Sequence, residues 1–441
     1  MKWRQWLKKS ILIAGDIAFL YLAFCLAIYF RFSFHFQEQV FYLGLIPFSF
    51  VFITWLIVFS VNHLYELENA KVNWRFVSYF LKAVAINALL AAAIFYFGNW
   101  FGFNPKIILF LVIIIAFLLL LIWRLIFNLI LGKIPALNVV FLGSNQETEE
   151  LISYLKNNPH LGYEISGHFP AISDSDFKSM IETNKFKRNL LVTAIKLPNL
   201  ETIYPFLNQT GGQLIKLSDF YERIFYRVPV SLIDDNWFIE NVENKQNPYY
   251  QLLKRLFDLF FSSFLILLAL PFCFLIALLI KIDSSGPVFY TSWRLGKNLK
   301  LFKIFKFRTM VKNADQLGPA WTLKSDLRIT RIGKFLRRFH LDELPQLINI
   351  FLGQMSFVGP RPVEKKLADE FNQKIKYYAL RHLIKPGAIG WAQLNHRYSA
   401  SLEDDIKKLE YDLYYLKYGN LWFDLVIIFK ALRIPFEVES Q

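Results

Sequence analysis

Long apolar runs alternate with short polar breaks in the first third of the chain. The runs cover residues 11–30, 43–61, 80–97 and 107–131. Each is close to the ~20 residues that a helix needs to cross the hydrocarbon core of a bilayer. Four transmembrane helices are therefore predicted over residues 1–134. The first run is too long for a signal peptide and lacks a small-residue cleavage site. Lys2, Arg4, Lys8 and Lys9 precede the first run, Lys71 and Arg75 lie between the second and third, and Lys133 follows the fourth. The opposite side has Arg31 and Lys106. Cationic loops stay in the cytoplasm, so the N-terminus and the chain beyond the fourth run are expected there. The spans hold few charges, which points to an anchor or scaffold rather than a transport path.

From about residue 135 the pattern shortens. Residues 137–142 read as a buried strand ended by Gly143, and residues 147–155 as a helix. Residues 189–195 and 212–217 read as further short apolar runs. Strand and helix alternation predicts a small Rossmann-like α/β domain with a parallel sheet over 135–245. A dinucleotide site wants glycines spaced G-x-G-x-x-G after the first strand. Gly143 is the only one present, and Glu147 puts negative charge where a pyrophosphate would sit. A structural or regulatory role is expected here, not NAD chemistry.

A fifth apolar run follows Lys254 and Arg255 and extends to Ile280, with Pro271 near its middle. Proline lacks the amide proton that continues a helix, and basic residues flank both ends. A re-entrant helix at about 256–281, returning to the face it entered from, satisfies these features. Ser262 and Ser263 would be polar partners at depth. A fifth, Pro-kinked transmembrane helix is the alternative.

Composition sharpens this picture. Of 441 residues, 55% are hydrophobic and 19% charged, which excludes a disordered chain. The two cysteines lie in apolar runs, so neither a disulfide framework nor a cysteine zinc site is expected. The net charge is +15, and residues 281–338 hold 14 Lys/Arg against 3 Asp/Glu. Such a block seeks phosphates. Its place directly after an apolar run favours a membrane surface over nucleic acid.

The last third carries the candidate chemistry. Lys303 to Met310 alternates cationic and apolar residues. Leu341-Asp342-Glu343-Leu344-Pro345-Gln346 follows, then Gly359-Pro360-Arg361-Pro362, Lys385-Pro386-Gly387 and Gly390-Trp391-Ala392-Gln393. Leu341, Leu344, Ile348 and Phe351 fit one helical face, which places Asp342 and Glu343 in a first turn, where the helix dipole favours anions. Adjacent carboxylates in a basic setting can hold Mg²⁺ with substrate phosphates or attack an electrophile. They can equally be ordinary helix-start acids. Arg361, stiffened by two prolines, suits bidentate phosphate recognition or a structural ion pair. Trp391 and Gln393 can contact a base or sugar, and an interfacial tryptophan is an equal reading.

The ordered run KR-x-FD, SSGPVF, R-x-G, KFRTM, LDELPQL, GPRP, KPG and GWAQ-x-N resembles the bacterial sugar transferase family of polyprenol-phosphate phosphoglycosyl transferases. The motifs cover residues 254 to about 432. The spans and the degenerate α/β domain resemble the family's large members, which start capsule, O-antigen or exopolysaccharide repeat units. The resemblance implies a C-terminal membrane-associated α/β catalytic domain, 246–441, on the cytoplasmic face of the bacterial inner membrane. It implies transfer of a sugar-1-phosphate from a UDP-sugar to undecaprenyl phosphate with release of UMP. By the same resemblance Asp342 carries a covalent phosphosugar and Glu343 holds Mg²⁺. Arg361, with Lys306, Arg308, Arg294 and Gln393, falls among the substrate-binding positions. Lys254 and Arg255 fall where the lipid phosphate would approach. Ser292, Leu327, Gln354 and His396 depart from the family pattern; none is Asp342, Glu343 or Arg361, so activity is expected, while the sugar is left open. Neither the sugar nor a homo-oligomeric state is specified by these residues.

Overall fold

A computed structural model describes residues 2–62, 64–65, 74–97, 106–133, 136–171, 190–194, 212–242, 248–314, 326–396 and 401–431. Lys71 and the expected boundaries at 134–135 and 245–246 lie outside them. The chain divides into two compact units, Met1–Lys216 and Leu217–Gln441.

The first unit opens with four long helices: α1 (Lys2–Arg31), α2 (Glu38–Val61), α3 (Trp74–Phe97) and α4 (Lys106–Lys133). All four are long and apolar enough to cross a membrane. Phe24, Phe48, Trp55, Phe59 and Val112 are fully or almost fully buried, while Ile46, Leu89 and Phe110 are exposed. A bundle apolar on both inside and outside suits a lipid solvent. Helix α1 runs against α4, and a Cβ on Gly15 would collide with the Trp123 ring. At this seam Arg124 donates to Asp16 at 2.7 Å, and both side chains are fully buried. The Tyr65 ring lies 5.5 Å from the guanidinium. A paired intramembrane charge was not legible in the sequence, because Asp16 and Arg124 sit in separate apolar runs.

Strands β1 (Leu137–Leu142), β2 (Tyr163–Phe169), β3 (Leu190–Thr193) and β4 (Gln213–Lys216) form a parallel sheet in the order β2-β1-β3-β4. Strand β2 is additional to the expected ones. Helix α5 (Gln146–Asn157) starts after Gly143, whose φ is 92°. The Asn145 side chain caps it by accepting from the Thr148 amide at 2.8 Å. The helix start thus binds its own asparagine.

The second unit begins earlier than expected. Helices α6 (Leu217–Phe225) and α7 (Asp235–Val242) belong to this unit, and Trp237 of α7 sits in its core. Glu222 accepts from Lys417 at 2.9 Å and from Tyr418 at 2.7 Å, and the Val228 amide donates to the Glu410 carbonyl. Composition missed this because these contacts join segments nearly 200 residues apart.

Helix α8 spans Pro248–Asp283 without interruption. Pro271 removes one amide donor but does not break the helix, since the neighbouring turns keep their bonds. Near its start Asp258 accepts from Ser356 Oγ at 3.0 Å and the Phe357 amide at 3.1 Å. Near its end Ile276 and Ile280 pack with Phe307 and Leu336, and Asp283 accepts from the Ile332 amide at 2.9 Å. Between these anchors Phe264, Leu267, Phe272 and Phe274 are exposed.

Beyond it come an antiparallel hairpin, β5 (Phe289–Leu295) with β6 (Leu301–Phe307), and helices α9 (Arg331–Arg338) and α10 (Gln346–Phe351). Strand β7 (Ser356–Val358) pairs in parallel with β8 (Gly387–Ile389). Helices α11 (Lys365–Lys374), α12 (Trp391–Asn395), α13 (Leu402–Tyr418) and α14 (Leu421–Ala431) complete the unit.

Candidate active site

The acid pair stands before α10, not within it. His340 takes a left-handed φ of 54°, and Leu341–Glu343 form a 3₁₀ turn that Pro345 separates from the helix. Proline at the helix start fixes the boundary. The turn buries Asp342 and leaves Glu343 at its edge.

Strand alternation brings the first cation. Phe302 and Ile304 pack with Ile350 of α10 and with Met355 beyond its end, and Lys306 continues the same face. Asn349, fully buried, fastens the two elements. Its Oδ1 accepts from the Phe305 amide at 3.0 Å, and its Nδ2 donates to the Lys303 carbonyl and to Gln354 Oε1, both at 2.7 Å. Lys306 then donates to Glu343 Oε1 at 2.7 Å.

The second cation comes from the loop after β7. Arg361 donates to the same Oε1 at 3.0 Å, and half of its side chain is exposed. Its own carbonyl accepts from Arg381 at 3.2 Å. Arg381 is in turn ion-paired with Asp412 at 2.7 Å, both buried. Asp412 on α13 thereby positions Arg361 through two bonds.

These neighbours separate the two carboxyl groups. Burial works against the Glu343 charge, but Arg361 and Lys306 outweigh it and hold the pKa at about 2. Burial, reinforced by the Glu343 charge, pushes Asp342 up, while Lys306 and Arg337 oppose. Burial pushes Lys306 down, and Glu343 opposes it. Among the described residues, only the backbone amide of Asp342 itself hydrogen-bonds to its carboxylate. A partly desolvated carboxylate with no side-chain hydrogen-bond partner, beside a fixed anion and two cations, is equipped to attack an electrophilic phosphorus.

The remaining candidates divide. Arg294 pairs with Glu364 at 2.7 Å, and its Nε donates to Ser292 at 3.1 Å, so the residue departing from the family pattern supports this arginine. Arg308 is buried and donates to the Ser284 and Ser285 carbonyls, closing the turn after α8 rather than joining the acid pair. Gln393 Oε1 is buried without a partner beside Gly390. Trp391 is buried and donates to the Tyr226 carbonyl at 2.9 Å, which places it in the core instead of against a base, a sugar or a membrane interface. Lys254 pairs with Asp424 at 2.7 Å. Arg255 donates to the Ile350 and Phe351 carbonyls at 2.8 and 2.7 Å, capping the C-terminus of α10. Gly353, with φ of 78°, leaves room for that guanidinium. Arg337, five residues before Asp342, was not singled out from the sequence; its Nε donates to Thr309 Oγ1 at 2.8 Å. Its signal was the strongly one-sided charge of α9.

For a divalent cation the site offers hard oxygens: both of Asp342 and the second of Glu343. Among the described residues no cluster of three or more ligating side chains is present. The donor set fits a Mg²⁺ ion that arrives with substrate phosphates rather than one held in an all-protein cage.

Residues 249–437 match the protein family described as Bacterial sugar transferase. The UDP-N-acetylgalactosamine-undecaprenyl-phosphate N-acetylgalactosaminephosphotransferase of Aeromonas hydrophila is 41% identical over 187 residues, 42% of this chain and 44% of that protein. The UDP-glucose:undecaprenyl-phosphate glucose-1-phosphate transferase of Escherichia coli (strain K12) is 32% identical over 311 residues, 66% of each chain. The exopolysaccharide production protein PSS of Rhizobium leguminosarum bv. phaseoli is 42% identical over 184 residues, 40% of this chain and 92% of that protein. The chain thus spans just under two thirds of the second of these relatives and less than half of the first.

Proposed function

As the chain belongs to the bacterial sugar transferase family, we propose that it transfers a sugar-1-phosphate from a UDP-sugar to undecaprenyl phosphate. The observation that carries this reading is the Asp342 carboxylate, without a side-chain hydrogen-bond partner among the described residues, beside Glu343, itself clasped by Lys306 and Arg361. An Asp342 oxygen attacks the sugar-linked phosphorus. The bond from that phosphorus to the bridging oxygen breaks, and UMP leaves with the electron pair. An oxygen of the lipid phosphate then attacks the same phosphorus and releases Asp342, leaving a lipid diphosphate sugar.

Lys306 and Arg361 are the phosphate-facing cations in this scheme, and Glu343 holds them in place until the diphosphate competes for them. Arg294 and Gln393 flank the site, the latter with an unfilled acceptor. Asp342 and Glu343 would hold Mg²⁺, whose chemistry is to offset the negative charge of the diphosphate. The lipid phosphate needs no general base, because it is already anionic near neutral pH. Relatives named for glucose and for N-acetylgalactosamine are both similar to this chain, so the sugar is a property of this chain's own pocket. The product serves exopolysaccharide or related repeat-unit synthesis.

The reaction joins a water-soluble donor to a lipid, so the site belongs at the cytoplasmic face of the inner membrane. In this reading α8 is re-entrant. Its support is that both ends of α8 anchor in the same unit while the middle presents an apolar surface.

The test is to incubate purified protein with a panel of UDP-sugars and Mg²⁺, first without lipid. One sugar should yield up to one UMP per enzyme and a protein gaining the mass of a phosphosugar. Undecaprenyl phosphate should then discharge it. Turnover that requires both substrates together, with no adduct at any stage, would replace this scheme with direct transfer.

A further inference from the structure

We propose that residues 226–230, in the segment between α6 and α7, act as a positioning strap for the active site: they hold Trp391 and Glu410, and through these two residues the loop that carries Arg361. That this loop takes part in sugar transfer rests on the reaction proposed above; that the strap sets its position does not.

Arg361 needs such support. Its side chain is half exposed, and among the described residues its guanidinium hydrogen-bonds to Glu343 alone. Its placement therefore follows its backbone. That backbone is stitched to the segment entering α12: the Gly359 amide donates to the Ile389 carbonyl and the Gly387 amide to the Pro360 carbonyl, both at 2.9 Å. Gly390 packs so closely on the Gly359 carbonyl that a Cβ would displace it. A movement of α12 is thus passed to the Arg361 loop.

The strap fixes α12 at its first residue. Trp391 is buried, and its indole N–H donates to the Tyr226 carbonyl at 2.9 Å. Tyr226 aims that carbonyl from a left-handed φ of 54°. A tyrosine keeps such backbone only where its surroundings hold it, and Arg227, next in the chain, supplies the hold. Its guanidinium pairs with Glu410 at 3.1 Å, both buried, and lies 5.2 Å from the Tyr221 and Phe225 ring centres. The Glu410 carbonyl accepts from the Val228 amide at 3.0 Å, and its carboxylate from the Val230 amide at 3.2 Å. Glu410 stands two residues before Asp412 on α13, and the Asp412 partner Arg381 holds the Arg361 carbonyl. The strap therefore meets both supports of the loop, α12 and α13. It does so with hydrogen bonds, which fix orientation, where apolar burial is non-directional.

The test is a double-mutant cycle on the full chain. Trp391→Phe keeps an aromatic ring and removes the donor. It should slow single-turnover UMP release by about fivefold to tenfold, since the Tyr226 carbonyl loses its partner and the loop its support. In an Arg361→Met background the same change should alter the rate by less than about twofold, because the group it acts through is already gone. An equal effect in both backgrounds would make Trp391 a core residue only and overturn the proposal. Arg227→Lys, which keeps the charge and loses the planar fork, is read in the same cycle where Trp391→Phe does not fold. Hydrogen exchange followed by mass spectrometry reads the loop without turnover. Protection of residues 356–364 and 387–394 should fall in Trp391→Phe, while that of the parallel sheet stays. Unchanged protection there in a folded variant would overturn the proposal whatever the sugar chemistry. Faster exchange in a protein that releases no UMP from any UDP-sugar would keep the strap and reject the reaction proposed above.

Discussion

Glu343 meets both of its cations through one oxygen, and its fixed charge acts on its neighbour. Asp342→Asn keeps the shape of the nucleophile but not its reactivity, so adduct and turnover should fall by at least about 10³-fold while UDP-sugar still binds. Charge changes around Asp342 should move the acid limb of single-turnover UMP release in opposite directions. Burial raises the Asp342 pKa most, Glu343 raises it further and Lys306 lowers it. Glu343→Gln removes a raising influence, so its slower reaction should have an acid limb at lower pH. Lys306→Met removes a lowering influence, so its limb should move up. Limbs that stay in place would mean that Asp342 is not the titrating group. Glu343 itself, held at about 2 against 4.5, stabilises the fold above its unfolded pKa. That contribution disappears as the pH falls from about 4.5 towards 2.

At the scale of elements, the loop bearing Arg361 depends on a buried pair. Arg381→Met strands the Asp412 carboxylate and should cost about 3–5 kcal/mol, read from denaturant unfolding of the detergent-solubilised protein. Adding Asp412→Leu should recover much of the loss. Helix α8 carries a topological prediction: single cysteines at Tyr249 and Lys300, on either side of its apolar stretch, should react with an impermeant maleimide only from the cytoplasmic face. Labelling of Lys300→Cys in intact cells from outside would make α8 a fifth span. Much of this was legible in the sequence, and the rest has a common cause. Apolar runs and motif order lie along the chain, so the four helices, the sheet's first strand and the acid pair could be read directly. The clasp on Glu343 joins residues 306, 343 and 361, and the clamp of Asn349 joins α10 to β6. Such pairings are set by tertiary packing, which spacing does not encode. The 3₁₀ turn at the acid pair was missed because its leucines keep a helical period across Pro345.

For the whole molecule, the boundary at residue 216 predicts how the chain can be divided. A protein beginning near residue 212 should fold and form the adduct. One beginning at 248 loses the contacts of Glu222, Val228 and Trp237 with the C-terminal core. At about 2 kcal/mol for each large apolar side chain, it should melt well below the longer form. Equal melting temperatures would return α6 and α7 to the preceding domain. The bundle has a different dependence on chain order. Asp16 finds its partner 108 residues later. At about 5–20 residues per second, synthesis takes roughly 5–20 s to produce Arg124. During that interval α1 carries an unmatched acid, so its insertion should remain reversible until α4 emerges. Ribosome-bound nascent chains arrested before Arg124 should release α1 to carbonate extraction, and chains arrested well beyond it should not. The membrane domain is thus committed by its last helix, not its first.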